Sequence, residues 1–384
     1  MNAPAGSDRS LFDIPEDLAY FNCASIGPMP RSAQAEIAAA AERRGRPWTI
    51  SNVEWMDEVE ERRGLFAAVA GTDPEAIALI PSASYGLAVA ARNLQAAPGQ
   101  HILVLADDFP SDVYTWRSFA ARKGCEILTV DRPEQGGWTQ AILDRLDERV
   151  AIVAVPNVHW TDGAFIDLAR VGARAREIGA ALAVDASQSF GILPVDWDAV
   201  RPDFLVTVGY KWLLGPYALG YLYVDEAHRG GEPLEENWLL REGSEDFARL
   251  VDYVDAYRPG ARRYDVGQRS AFELTRAASA SLRLMLGWQA KDLAGRLGAI
   301  TGRIEAEARR LGLRIGSGPE RAPHLIGLEL PAGAMEKAAA LFRDANVHIS
   351  FRGRAVRIAP HVYTSESDVE RLLGVLARVA EAAG

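Results

Sequence analysis

Lysine is scarce in this chain. Of its 42 basic residues, four are lysines, Lys123, Lys211, Lys291 and Lys337, and the rest are arginines. Cysteine is scarcer still: Cys23 and Cys125 offer neither a disulfide framework nor a metal-ligand spacing. No uninterrupted apolar run approaches the roughly 20 residues that a transmembrane helix needs. The first residues, Met1-Asn2-Ala3-Pro4-Ala5-Gly6-Ser7-Asp8-Arg9, lack the apolar core of a signal peptide. Positive charge is lacking overall. The formal net charge is −10, which argues against a nucleic-acid or anionic-membrane surface. There is no Walker lysine and no G-x-G-x-x-G after a strand, so a nucleotide phosphate is disfavoured. These absences point to a protein of the reducing cytoplasm that handles a small molecule.

What is present is an ordinary globular composition, 48% hydrophobic and 24% charged. At 384 residues the expectation is a large domain plus a smaller one. Residues 53–70 read as an amphipathic helix closed by the turn Gly71-Thr72-Asp73-Pro74. Short apolar runs follow at Ala76–Ile80, His101–Leu105, Glu126–Val130, Ala151–Val155, Ala181–Val184, Phe204–Val208 and Gly220–Val224. Helical patterns lie between them at Tyr85–Leu94, Asp112–Lys123, Gln140–Leu146 and Leu168–Ile178. This order predicts an α/β fold with a mostly parallel seven-stranded sheet, helices on both faces and ligands at the carboxyl ends of the strands. After about Asp265 a long helical stretch gives way to strand patterns at Leu313–Ile315, His324–Glu329, His348–Phe351 and Ala355–Ala359, then a closing helix over Glu366–Ala382. The expected division is an N-terminal segment (1–20), a large domain (21–260) and a small α+β domain (261–384).

Lys211 stands just after the apolar, β-branched run Val206-Thr207-Val208. A lysine in apolar surroundings loses its proton more readily and can form a Schiff base, which arginine cannot. Asp185, 26 residues upstream, ends another apparent buried strand. A lysine and a strand-end aspartate are what pyridoxal phosphate requires, one for its aldehyde carbon and one for its ring nitrogen. A snorkelling lysine and a helix-capping aspartate are the bland alternatives. Ser82 and Ser84, in Pro81-Ser82-Ala83-Ser84-Tyr85-Gly86, join a strand end to a helix start, where a phosphate or a plain N-cap fits. Phe109 stands in a loop after a strand and Asn157 in another; stacking or packing, and hydrogen bonding or turning, are the paired readings. Arg357, flanked by Val356 and Ile358, needs a bidentate acceptor, either a substrate carboxylate or a structural acid. Arg352 and Arg354 read as solvated, with Arg352 able to assist.

These segments resemble the class V aminotransferase superfamily of fold-type I pyridoxal-phosphate enzymes, nearest the branch of isopenicillin-N-epimerase-like, selenocysteine-lyase-like and kynureninase-like proteins. The matching pieces run in order along nearly the whole chain. They are Tyr20-Phe21-Asn22, Pro81–Gly86, Phe109-Pro110-Ser111, Val184–Gly191, Gly209-Tyr210-Lys211-Trp212, Arg263–Gly267 and Arg357–Tyr363. The resemblance implies a Schiff base on Lys211, Asp185 at the pyridinium nitrogen, and Gln188 and Asn157 near the phenolic oxygen. It implies Phe109 on the ring face, Ser82, Ala83, Ser84 and Tyr210 at the phosphate, and Asn22 and Arg357 at the substrate. It also implies a homodimer with active sites at the interface, where Gly267 and Gln268 reach the partner's phosphate. Glutamine at 268, where the family often has threonine, departs from that pattern. Desulfurases of this superfamily place a catalytic cysteine shortly before the carboxylate-binding arginine. Val347–Arg354 has none, which argues against persulfide chemistry by that route. The implied activity is an aminotransferase on an amino acid. The alternatives are a β-lyase or kynureninase-like hydrolase, an epimerase, or a cofactor-binding regulatory protein without turnover. The shared motifs do not separate these, and Trp116, Trp160, His159, Trp212 and His361 are equally able to line the substrate pocket or pack the core.

Overall fold

A computed structural model describes residues 7–134, 136–317, 320–330, 333–352 and 355–382. Arg354 lies outside the described residues. The chain opens with β1 (Ala19–Tyr20), α1 (Arg31–Arg44) and α2 (Glu58–Ala70), the last preceded by a π-helical turn over Val53–Asp57. The large sheet and its helices then alternate: β2 (Ile77–Ile80), α3 (Ala83–Asn93), β3 (His101–Leu105), α4 (Pro110–Lys123), β4 (Glu126–Val130), α5 (Trp138–Leu143), β5 (Val150–Pro156) and α6 (Leu168–Glu177). They continue with β6 (Ala181–Asp185), α7 (Trp197–Val200), β7 (Phe204–Val208) and β8 (Gly220–Val224). The seven strands lie in the order β2-β8-β7-β6-β5-β3-β4. Neighbours from β7 to β4 run parallel, and β8 is antiparallel to both β2 and β7.

Strands β2, β5 and β7 are buried along their whole length, because helices cover both faces of a parallel sheet. That is why they read as continuous apolar runs rather than alternating ones. Helix α3 sits very close to the sheet: a side chain at Gly86 would meet Ile80 and Val206 at 2.8 Å. Glycine here brings the amino end of α3 down to the sheet edge where ligands bind.

The second part of the chain carries α8 (Thr275–Trp288), α9 (Ala290–Arg310), β9 (Arg314–Ile315), β10 (Ile326–Glu329), α10 (Met335–Asp344), β11 (Val347–His348), β12 (Ser350–Arg352), β13 (Ala355–Ile358) and α11 (Glu366–Glu381). A four-stranded sheet, β12-β13-β10-β9, carries this part, and β1 returns from the amino end to pair with β11. Its core joins Ala19 and Phe21 to Ile304, Ile326, Phe342, Leu372 and Leu376. The single strand expected at His348–Phe351 is two. The chain leaves β11, paired with β1, and enters β12, paired with β13. Helix α8, though within the 261–384 stretch, packs on α1 and α2 near the amino end of the chain. Among the described residues no helix is long and apolar enough to cross a membrane.

Candidate active site

A cavity of about 230 Å³ opens at the carboxyl ends of β2, β6 and β7. It is lined by Ser82, Ala83, Ser84, Phe109, Asp185, Tyr210 and Lys211, all singled out from sequence, and also by Ser111, Ser187 and Tyr217.

Lys211 follows the buried strand β7 by one short turn. The turn is clamped from the amino end of the chain: Gly27 N–H donates to the Tyr210 carbonyl at 2.7 Å. A side chain at Gly27 would lie 2.4 Å from the Lys211 carbonyl oxygen, so only glycine permits this approach. The Lys211 ammonium nitrogen is 5.6 Å from the centre of the Phe109 ring and 5.9 Å from that of Tyr210. Burial pushes its pKa down to about 8, with the positive charges of Arg357 and Arg352 adding to the effect and Asp185 and Asp112 opposing it. That depression corresponds to about 3 kcal/mol against the charged form, and it brings the free amine within reach of neutral pH.

Asp185 ends β6, where its Oδ1 accepts the Ser187 N–H at 2.7 Å. Two further carboxyl groups, unrecognised in the sequence, lie with it. Burial, and after it the charge of Asp185, raises Asp108 to about 7, in spite of the Phe109 N–H that it accepts. Asp112, on the first turn of α4, is raised well above the carboxylate range by burial, then by the charges of Asp185 and Asp108 and by a hydrogen bond to Asp185. Its Oδ2 is buried without a partner, as suits a neutral acid better than a charged one.

The phosphate end is built on α3. Ser82 is the N-cap and its Oγ accepts the Tyr85 N–H at 3.2 Å, leaving Ala83 and Ser84 N–H without an intrahelical acceptor. Ser84 Oγ donates to Ser111 Oγ at 3.1 Å. The preceding strand is held by a buried ion network. Asp265 accepts from Arg63 at 2.7 and 3.0 Å, from Arg269 at 2.9 Å and from the Leu79 N–H at 2.8 Å.

Arg357, on β13, is 2% exposed. Its guanidinium donates to Ser350 Oγ at 3.0 Å, the Trp160 carbonyl at 2.8 Å and Ser25 Oγ at 2.8 Å. No carboxylate lies within ion-pair distance of it among the described residues, so the structural-acid reading finds no partner.

Arg357 is not among the residues that line the cavity, and the other expected residues also lie outside it. Asn157 is buried beside it, taking the Asp185 carbonyl with its backbone N–H and donating from its amide to the Ile166 carbonyl at 2.9 Å. Gln188 donates to the Ala24 carbonyl and accepts from Trp212. Asn22 has a buried Oδ1 without a partner. Gly267 N–H donates to Glu235 at 2.7 Å, and Gln268 is exposed. Neither lines this chain's cavity. Trp116, Trp212, His159 and His361 are buried in the core, whereas Trp160 stands edge-on to Phe109 at 5.6 Å. Cys23 is buried, and its thiol is held against protonation loss by that burial.

The set fits pyridoxal phosphate. An amine, a strand-end carboxylate, free helix-end N–H groups and the buried, unpartnered Ser187 hydroxyl face one space. The family model Aminotransferase class-V matches residues 40–236, more than half of the chain. The chain belongs to the class-V aminotransferase family. It is similar to an uncharacterized aminotransferase of Bacillus subtilis (strain 168), 26% identical over 84% of each chain. A kynureninase of Deinococcus radiodurans is 30% identical over 71% of this chain and 67% of its own. Isopenicillin N epimerase of Streptomyces clavuligerus is 26% identical over 92% and 93%. Among solved structures, the cystine C–S lyase C-DES in complex with cysteine persulfide superposes with a TM-score of 0.84 at 20% identity, covering 93% of this chain and 97% of that one; this likeness concerns the fold alone. This class V protein is a fold-type I enzyme, and its cofactor is pyridoxal 5′-phosphate.

Proposed function

We propose that this class V enzyme is an aminotransferase acting on an amino acid, with Lys211 as the carrier of the Cα proton. Bound at Lys211, pyridoxal phosphate supplies an aldehyde carbon that takes up an amino group and a ring that draws electrons from Cα. Ser82, Ser84, Tyr210 and the N–H groups of Ala83 and Ser84 would hold its phosphate, and Asp185 its ring nitrogen. Phe109 would cover one face. Arg357 holds the substrate carboxylate, which turns the Cα–H bond toward Lys211 and fixes the reacting geometry. A freed Lys211 amine, titrating near 8, then takes and returns the proton close to its optimal driving force.

The observation that carries this reading is that Lys211 supplies the one amine among the described cavity-lining residues. Transamination needs a single proton carrier, whereas two-base inversion needs a second group on the opposite face. The buried Cys23 thiol, raised by burial, is a poor candidate for that second group. The similarity to a kynureninase supports a second reading, cleavage at the β-carbon, through the same residues. The test is to mix holoenzyme with single amino acids and no amino acceptor. Release of about one equivalent of 2-oxo acid per site supports transamination. Ammonia with a cleaved side chain, or the opposite enantiomer, contradicts it.

A further inference from the structure

Arg357 is not the sole guanidinium at the substrate end. Arg352, on β12, donates from Nη2 to Ser25 Oγ at 3.0 Å, and Arg357 donates from Nη2 to the same oxygen at 2.8 Å. One hydroxyl thus accepts from two cations, and its own proton is left to donate elsewhere. Arg352 also bonds the Phe351 carbonyl at 2.8 Å and stands 5.7 Å from the centre of the Trp160 ring. Neither arginine has a carboxylate within ion-pair distance among the described residues. Their mutual repulsion is felt by Arg357, which burial and then Arg352 hold below the ordinary guanidinium value, at about 9. Both charges also reach Lys211.

Two like charges that meet on a neutral hydroxyl beside a substrate site are an unbalanced arrangement in the protein alone. A monocarboxylate balances one of them. We propose that Arg352 and Ser25 form a second anion subsite beside Arg357, and that the preferred substrate is an amino acid whose side chain ends in a carboxylate or a similar anion. Trp160 flanks the subsite and orients the Arg352 plane through its ring face. Because Arg352 is half-buried and Arg357 buried, the side-chain anion lies on the solvent side of the α-carboxylate. This inference rests on the reading of Arg357 as the carboxylate clamp of an amino-acid enzyme.

The test measures binding of unreactive acids to the holoenzyme by calorimetry, with glutarate and succinate set against butyrate and propionate. The dicarboxylates are expected to bind at least about tenfold more tightly than the monocarboxylates. Arg352→Gln is expected to remove that advantage while leaving butyrate affinity within about threefold, and Arg352→Lys to restore part of it. Arg357→Gln is expected to weaken all four. Equal affinity for both classes in the unaltered enzyme, or an equal loss of both classes in Arg352→Gln, would overturn the subsite. Binding of glutarate through Arg352 without 2-oxo acid from any amino acid would sustain the subsite and remove the transaminase reading. Turnover of monocarboxylic amino acids with no dicarboxylate advantage would do the reverse.

Discussion

Asp112, buried on the first turn of α4, lies against Asp185, the strand-end acid of the cofactor cavity. Burial, and after it the charges of Asp185 and Asp108, pushes the Asp112 carboxyl well above the usual carboxylate range. The arrangement orients Asp185 and stabilises its charge without placing a second negative charge beside it.

Asp112→Asn keeps a donor toward Asp185 and is expected to hold activity within a few-fold of the parent. Asp112→Leu removes the donor, and activity is expected to fall by roughly 10–100-fold, the usual range for groups that orient a reacting one. Steady-state kinetics of the two variants, with circular dichroism as a folding control, checks this expectation, and equal activity of the leucine and asparagine variants would contradict it.

Lys211→Ala removes both the covalent anchor and the proton carrier. Turnover is expected to fall by at least about 10³-fold, within the range given by loss of general acid–base catalysis alone. Added methylamine is expected to restore a measurable fraction. Unchanged turnover in the variant would place the chemistry elsewhere.

The depressed pKa of Lys211, about 8, sets a pH dependence. Below it the amine is protonated and cannot attack an aldehyde; above it the amine is free. Recombination of cofactor-free protein with pyridoxal phosphate is therefore expected to accelerate about tenfold per unit as pH rises toward 8 and to level off above it. A lysine of ordinary pKa would give a rate still climbing at pH 10. Stopped-flow absorbance at a series of pH values distinguishes the two.

Arg357→Ala is expected to raise KM for amino acids by roughly 30-fold, from the loss of about 2 kcal/mol of charge-assisted hydrogen bonding. Amines without a carboxylate are expected to be affected far less. An equal loss for both would make Arg357 structural.

Asp265→Asn leaves Arg63 and Arg269 buried with the less buried Glu60 as their remaining shared counter-charge. Breaking such a network costs about 3–5 kcal/mol, read as a lower urea midpoint. Because the same carboxylate holds the Leu79 N–H at the base of the phosphate loop, cofactor affinity is expected to fall as well.

Much of the site was legible because its parts sit at the ends of buried strands. The runs His101–Leu105, Glu126–Val130, Phe204–Val208 and Gly220–Val224 were bounded as the structure has them, since apolar continuity stops where the strand leaves the sheet. Lys211 and Asp185 stood out for the same reason, as charged groups terminating apolar runs. Helix α1 went unread because its inward positions are alanines, such as Ala33 and Ala40, which leave no apolar stripe. Asp112 heads the helical pattern Asp112–Lys123, where a carboxylate is ordinary; its raised pKa depends on burial and on Asp185 and Asp108, brought together by the fold. Ser25 carried no sign of its place between two arginines, because a serine's role as acceptor depends on what the chain folds against it.

The most direct measurement is reduction of the holoenzyme with borohydride, followed by proteolysis and mass spectrometry of the four lysine-bearing regions. The expected result is a single pyridoxyl phosphate adduct, on Lys211. An adduct on Lys123, Lys291 or Lys337 in its place, or none on any lysine, would contradict the account.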